Sequence, residues 1–366
     1  MTAQKALHGL SREGNRMPTR TPSVSMKDVA ALAGVSLGTV SNVVNSPALV
    51  SEHTRERVQV AIAKLGWVPN ESARQLRAGR SRAIGMVVMD IANPFFTDLV
   101  LGADDYVQER GFFVQVSNSA QDPDRERLHL QLLEQQRVGG VLLAPIGALN
   151  DQVDQLRRRG IPMVILDRAS QQADICSVSV DDVEGGRLAV QHLIDQGHTH
   201  IALVGGPGDL QQVRDRRMGA EIARSGHGSA QLLTISTPNL DTESGVSAAS
   251  ELVTLPPAER PTAVFAANDL LAIGVLQGFV TQGLRVPDDV AIIGYDDVTF
   301  AASAAVPLSS IRQPSRALGR RAAELLFDEI EASGNGGRHE HQAVRFTPEL
   351  IVRRSSAARV KAARRN

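Results

Sequence analysis

The chain has 366 residues, 42% hydrophobic and 22% charged, which suits two or three globular domains with ample core. Its one cysteine, Cys176, excludes an intrachain disulfide and a cysteine-rich metal site. The net charge of −1 hides an asymmetry: residues 1–80 hold 11 Lys/Arg against 5 Asp/Glu, residues 81–366 hold 28 against 35. This is the pattern of a chain that meets a polyanion with its head alone.

Residues 1–24 show no periodicity and read as a disordered extension. From Ser25 the pattern is helical. Ser25 suits an N-cap, Met26, Val29, Ala30 and Ala33 share a face, and Gly34 interrupts where a left-handed turn residue is needed. Ser36 then caps a second helix with Val40, Val43 and Val44 inside. A small Ala30, a turning Gly34 and a branched Val40 meet the steric demands of a helix-turn-helix, whose second helix enters the major groove. Two helices of an ordinary core are the plainer alternative. Ser51 caps a third helix over 52–65, ended by Gly66, so residues 25–69 make one small helical domain. In residues 70–80, Ala73, Leu76 and Arg77 share a face of a stretch too short to be a stable helix alone. It is either a linker turn or a helix that forms only against a partner.

From Ala83 the grammar changes. The apolar runs AIGMVV, GFFVQVS, GGVLLAP and IPMVILDR alternate with amphipathic stretches at 96–109, 124–136 and 151–158. After Val183 the alternation restarts with a helix to Gln196 and the runs HIALVGG, TAVFAAN and DVAIIGYDD. Residues 81–353 therefore read as two doubly wound parallel α/β sheets in tandem. VRFTPELIVRRSS supplies a last strand, and residues 354–366 a basic disordered tail. Ligands of such sheets sit beyond the carboxyl ends of the strands. Asp167, Arg216, Asn268 and Asp296 fall at or just after such ends, and Phe95 and Phe96 sit at the first strand-to-helix junction. His198 and His200 lack the spacing and the third ligand of a metal site. No nucleophile–base pair stands out, so an enzyme is not expected.

Five stretches carry more than a pattern: KDVAALAGVSLGTVSNVVN, VSEHTRERVQVAIAKLGWVPNESARQLRAG, GHTHIALVGG, FAANDLLAIGV and LRVPDDVAIIGYDD. In their order and spacing, from Met26 to Ser355, the chain resembles the lactose-repressor and purine-repressor family of bacterial transcription regulators. The resemblance implies a helix-turn-helix headpiece, a hinge helix at 70–80, a two-lobed effector domain like periplasmic sugar-binding proteins, and homodimerisation through that domain. Each lobe would be discontinuous, the first taking about 81–180 with a segment after Ser310, the second about 181–310 with the last strand.

On the second helix Ser36, Leu37, Gly38, Thr39, Ser41, Asn42 and Asn45 are the candidates for DNA contact, hydroxyls and amides being suited to phosphates and base edges. The resemblance puts Leu37, Gly38 and Asn42 at the main base-reading positions. It makes Leu76 a wedge that enters the minor groove and unstacks a base step, with Ala73 leaving room and Arg77 near phosphates. At the other end it makes Asp167, Arg216, Asn268 and Asp296 effector contacts, with Asn268 before Asp269 in the sugar-type form. Phe95 and Phe96 offer rings for stacking, and Asp181 is a further pocket candidate. Several members place an aromatic over the ligand where this chain is aliphatic, near Leu240, a departure that weighs against an aromatic purine ligand.

The expectation is a cytoplasmic repressor without cofactor or membrane segment. It binds palindromic double-stranded operator DNA as a homodimer, under the control of a small-molecule effector, a sugar or related polyol. The tail lacks the leucine heptads that tetrameric members use. A solute-binding protein of a sugar transport system would share the two-lobed body; the headpiece and the polar N-terminus argue against it.

Overall fold

The computed structural model of the protein describes residues 24–68, 81–149, 151–170 and 172–357. Residues 1–23 of the predicted extension, the stretch 70–80 with Ala73, Leu76 and Arg77, and the last nine residues lie outside the described residues. The chain divides into a small N-terminal unit and a large second one.

In the first unit α1 (Met26–Ala33), α2 (Leu37–Asn45) and α3 (Glu52–Leu65) close on Val29, Ala30, Val40, Val43, Val58 and Trp67. Each boundary has a local cause. The Asp28 carboxylate accepts the Ser25 backbone N–H at 2.8 Å and its hydroxyl at 2.7 Å, which fixes the start of α1. Gly34 ends it at φ 64°, where a Cβ is strained. Ser36 Oγ accepts the Thr39 N–H at 3.1 Å and starts α2. Arg57 reaches across from α3 to the carbonyls of Ala33 and Gly34, so the tight turn is satisfied by a side chain.

The second unit has two lobes. The first holds β1 (Ala83–Val88), α4 (Pro94–Glu109), β2 (Phe113–Asn118), α5 (Pro123–Gln135), β3 (Gly140–Leu143), α6 (Asp151–Arg158), β4 (Met163–Leu166) and β5 (Cys176–Val180). The second holds α7 (Asp182–Asp195), β6 (His200–Gly205), α8 (Gln211–Ser225), β7 (Gln231–Ser236), α9 (Thr242–Thr254), β8 (Ala263–Ala266), α10 (Asp269–Thr281), β9 (Ala291–Asp296), α11 (Thr299–Ser303) and β10 (Ser309–Arg312). The chain then returns to the first lobe as α12 (Ser315–Gly334) and β11 (Ala343–Phe346), and to the second as β12 (Glu349–Ile351). The sheet orders are β11-β5-β4-β3-β1-β2 and β12-β10-β9-β8-β6-β7. Every pairing is parallel except that of β12 with β10. The chain crosses between lobes near Asp181, Gln313 and Pro348, the discontinuous-lobe arrangement that the resemblance implied.

Two expectations at the C-terminus are corrected. The predicted last strand is two strands in different sheets, parted at Pro348, which has no N–H to continue a ladder. The folded part also runs past residue 353. Arg354–Ser356 is a 3₁₀ turn in which Ser355 and Ser356 are buried, and Ser355 Oγ bridges the Ser309 N–H at 2.8 Å and the Ile292 carbonyl at 2.6 Å. Those hydrogen bonds outweigh the basic composition that suggested disorder. Helix α12 has no counterpart among the predicted elements, although Leu318, Ala322, Leu325 and Leu326 repeat at helical spacing and are buried.

Helices α7 and α8 cross at Gly186 and Gly219. An added Cβ at Gly186 would overlap the Arg216 carbonyl oxygen, and one at Gly219 the Val183 carbonyl oxygen. The obstacle is backbone, so the helices would have to part. Gly186→Ala gains about 1 kcal/mol of helix propensity. It loses about 1–3 kcal/mol or more to overpacking. Thermal unfolding should therefore show a lowered midpoint, while Gly208→Ala, with nothing within 4 Å of the new methyl, leaves it unchanged.

Candidate functional site

On α2, Val40 and Val43 face the core, while Leu37, Gly38, Asn42 and Asn45 are exposed. Leu37 is 43% exposed at the first position of the helix. Four of the seven candidates have contacts inside the helix. Ser36 caps it and lies 2.9 Å from the Thr39 hydroxyl, and Asn45 Nδ2 donates to the Ser41 carbonyl at 2.8 Å. Leu37 and Asn42 keep their side chains toward solvent. The N–H groups that open α2 carry the positive end of its dipole, a natural seat for a phosphate.

In the second unit the carboxyl ends of the two sheets meet across a cleft. Phe95, Phe96, Asp167, Arg216, Asn268 and Asp296 all line one cavity there, of about 30 Å³, room for one or two waters. Asp181 is a correction. Its carboxylate accepts the Glu184 N–H at 3.0 Å as the cap of α7 and pairs with Arg345 at 3.4 Å, and it does not line the cavity. Its neighbour Asp182 is the buried partner of Arg216. Sequence reasoning also missed Asn93, Gln212 and Gln313, three amides on the cavity wall. Asn93 alone carried a signal, standing just before Pro94 as a cap to α4.

Arg216 organises this wall from α8. Its Nε donates to Asp182 at 2.8 Å and its Nη1 to the Ala267 carbonyl at 2.7 Å, Asp296 lies 3.9 Å away, and the guanidinium stacks 3.7 Å above the Tyr295 ring. Burial opposes that charge, but Asp182 first, then Tyr295, Asp296 and Asp167, raise the pKa above its ordinary value. Hydrogen bonds among the described residues run between the lobes: Asn93 Nδ2 donates to Asp296 at 3.2 Å and Gln212 Nε2 to Asp167 at 2.5 Å. Gln313, on a crossing segment, donates to the other Asp296 oxygen at 2.7 Å. Asn268 caps α10 through the Leu271 N–H at 2.9 Å and donates to the Leu240 carbonyl at 3.0 Å.

The two aspartates are held in backbone conformations that side chains avoid, Asp167 at φ 62° and Asp296 at φ 106°. Such conformations persist where surrounding structure enforces them, typically at ligand sites. Asp167 Oδ1 and Gln313 Oε1 are buried without a hydrogen-bond partner among the described residues. Burial, with the Asp182 charge behind it, pushes Asp167 up to about 8, against the pull of Arg216 and Gln212. Burial lifts Asp296 to about 6, against Arg216 and the Asn93 and Gln313 hydrogen bonds. The cavity thus offers acceptors and donors on one side and Met89, Leu210, Val213 and Leu240 with the phenyl rings on the other. That mixed lining has the chemistry that suits a small polar molecule.

Residues 25–70 match the description of the lacI family of bacterial regulatory proteins, and residues 190–356 that of the periplasmic binding protein-like domain. The HTH-type transcriptional repressor PurR of Aliivibrio fischeri strain MJ11 is 34% identical over 343 residues, covering 92% of this chain and 99% of its own length. Among solved structures, the transcriptional regulator CelR in complex with cellobiose is 35% identical with a TM-score of 0.67, covering 91% of this chain and 99% of that one. The lac repressor dimer bound to operator and the anti-inducer ONPF is 28% identical with a TM-score of 0.77, covering 92% and 100%. No helix among the described residues is long and apolar enough to cross a membrane.

The raised Asp167 pKa has a sign in solution. An unfolded aspartate ionises near its ordinary 3.8, the folded one only near about 8. Between those values the folded chain holds an extra proton, so this carboxyl lowers stability progressively as pH rises through the window, and the loss levels off above it. Asp167→Asn removes the titrating carboxyl. Urea unfolding should show the unmutated chain losing stability relative to the variant between about pH 5 and pH 8; parallel profiles would contradict the assignment.

Proposed function

The chain belongs to the lacI family of bacterial regulatory proteins and is a DNA-binding transcriptional repressor, not an enzyme; we propose that it binds a palindromic operator as a homodimer and that a sugar or related polyol in the inter-lobe cleft sets that affinity. The observation that carries the effector reading is the ring of cleft residues itself. Asp167, Arg216, Asn268 and Asp296, with Asn93, Gln212 and Gln313, supply acceptors, forked donors and amides around a space walled by Phe95 and aliphatic side chains. Vicinal hydroxyls need both donors and acceptors, and the apolar face of a sugar ring needs a flat apolar neighbour. Leu240 lines the wall where an aromatic would favour a planar heterocycle.

The mechanism follows from the crossings. A ligand gripped by both lobes replaces the Asn93–Asp296 and Gln212–Asp167 hydrogen bonds with its own and resets the angle between the sheets. The chain enters the first lobe at Ser81, directly after the stretch 70–80, so a change of lobe angle in a dimer changes the spacing of the two segments that lead to the headpieces. Leu37 and Asn42 read bases, and Ser36, Thr39, Ser41, Asn45 and Arg77 serve phosphates or shape the helix. Leu76, with Ala73 beside it, acts as the minor-groove wedge. Because the two sites are linked, DNA alters effector affinity by the same factor that effector alters DNA affinity.

Fluorescence anisotropy on a palindromic fragment from upstream of its own gene tests this. Binding should weaken steeply with salt as phosphate contacts release counterions. Asn42→Ala should cost about 1–3 kcal/mol on the palindrome, with the salt slope unchanged. One member of a panel of mono- and disaccharides should shift the unmutated chain, and Asp296→Asn should blunt that shift while leaving DNA binding without sugar as it was. A response to purine bases alone would overturn the sugar assignment and leave the regulator standing.

A further inference from the structure

The single cysteine has company in space. Cys176 opens β5, and its Sγ lies 3.1 Å from His339 Nε2 and 3.7 Å from His341 Nδ1. Both imidazoles come from the connection between α12 and β11. They arrive there because β11 pairs with β5 in parallel, Ala343 opposite Ser177. The rings stand edge to face at 5.0 Å, and the three donor atoms lie within 4.8 Å of one another. The start of a parallel strand is the far edge of the sheet from its carboxyl end, so this cluster is separate from the effector cleft.

We propose that Cys176, His339 and His341 form a binding site for a divalent transition ion of the zinc class. A tetrahedral zinc ion, with Zn–S about 2.3 Å and Zn–N about 2.0–2.1 Å, sets sulfur and nitrogen about 3.6 Å apart. The two Sγ–N distances here straddle that value. One thiolate with two imidazoles is a ligand set that suits zinc and its neighbours and disfavours Mg²⁺ and Ca²⁺. The fourth position is left for water.

The surroundings fit. Cys176 is buried, and the half-buried histidines give the ion a way in from solvent. The Gln342 N–H points at Sγ from 3.3 Å, the outer donor that a metal-bound thiolate accepts. The nearby guanidiniums carry their own counter-charges, Arg157 with Asp174 and Asp154, Arg321 with Glu324. A bound ion ties β5 to the segment that leads into β11, after which the chain crosses to the second lobe.

The experiment is a Co²⁺ titration of the untagged full-length chain near neutral pH, followed by absorption. A sulfur-to-cobalt charge-transfer band can come only from Cys176, the one cysteine in the sequence. The expected result is that band together with strong tetrahedral d–d bands, saturating at one ion per chain and bleached by an equivalent of Zn²⁺. Cys176→Ser abolishes the band, and His339→Ala and His341→Ala each weaken binding by about tenfold or more. Zn²⁺ should also raise the thermal midpoint of the unmutated chain, a readout that needs no variant. A thiol merely hydrogen-bonded to imidazole gives no band at any Co²⁺ excess, and that result overturns the site. So does cobalt bound without the sulfur band, or a band that survives both histidine variants.

Discussion

A buried guanidinium sets the geometry of the whole cleft. Arg216 is 4% exposed, and a charge so placed is tolerable only when paired and fully hydrogen-bonded. Asp182, the Ala267 carbonyl and the Tyr295 face supply that on three sides, from α7, the end of β8 and β9. Each of those elements is therefore held to the position of one side chain. The glycine crossing of α7 and α8 serves the same end. Gly186 lies against the Arg216 backbone, and only without a Cβ can Asp182, one turn earlier on α7, come within 2.8 Å of the guanidinium. Removing Asp182 or Arg216 alone would strand the other's charge in a dry interior, a loss of about 3–5 kcal/mol.

From that fixed point the charge pattern of the cleft follows. Three aspartates, Asp167, Asp182 and Asp296, surround one arginine, more negative charge than one guanidinium balances. Burial and mutual repulsion reduce the excess by raising the Asp167 carboxyl to about 8. On the effector reading, a protonated Asp167 offers a ligand hydroxyl a donor as well as acceptors. Of the other two, Asp182 pairs directly with Arg216, and Asp296 is held by Arg216, Asn93 and Gln313. It is the point where the first lobe, the second lobe and a crossing segment meet.

Much of this was legible in the sequence, and the failures have physical reasons. The headpiece was readable to the residue because its boundaries are local: Ser25, Gly34, Ser36 and Gly66 cap or break helices through their own backbone preferences. Strands β1, β3, β4 and β8 announced themselves as apolar runs because both faces are covered. Strand β5 did not, since Ser177 and Ser179 alternate with its valines although both are buried. At the site, the strand-end rule found Asp167, Asn268 and Asp296. It could not choose between adjacent Asp181 and Asp182, because which of them caps α7 and which turns inward is decided by the helix start, and that shifts by one residue too easily to read from a pattern. Gln212 and Gln313 sit on a helix and a crossing segment, where no rule of strand ends applies. The cluster of Cys176 with His339 and His341 needs a pairing between strands more than 160 residues apart in sequence, which no local spacing encodes.

The pairing of the cleft with itself also bears on selectivity. On the effector reading, a ligand enters at the expense of hydrogen bonds the lobes already make: Asn93 and Gln313 to Asp296, Gln212 to Asp167. A molecule that replaces each of them loses nothing. One that lacks a single hydroxyl leaves a buried donor or acceptor unpaired, a penalty of about 1–3 kcal/mol, or roughly five- to 150-fold in affinity. A missing carbon costs a similar amount at most, and the aliphatic wall of Leu210, Val213 and Leu240 adapts more readily than a fixed amide does. Discrimination among candidate sugars therefore rests on the number and placement of hydroxyls more than on ring size. The penalty falls on lobe closure itself, since the orphaned groups lie on opposite sides of the cleft. A poor ligand is then both weakly bound and a poor stimulus for the change of lobe angle.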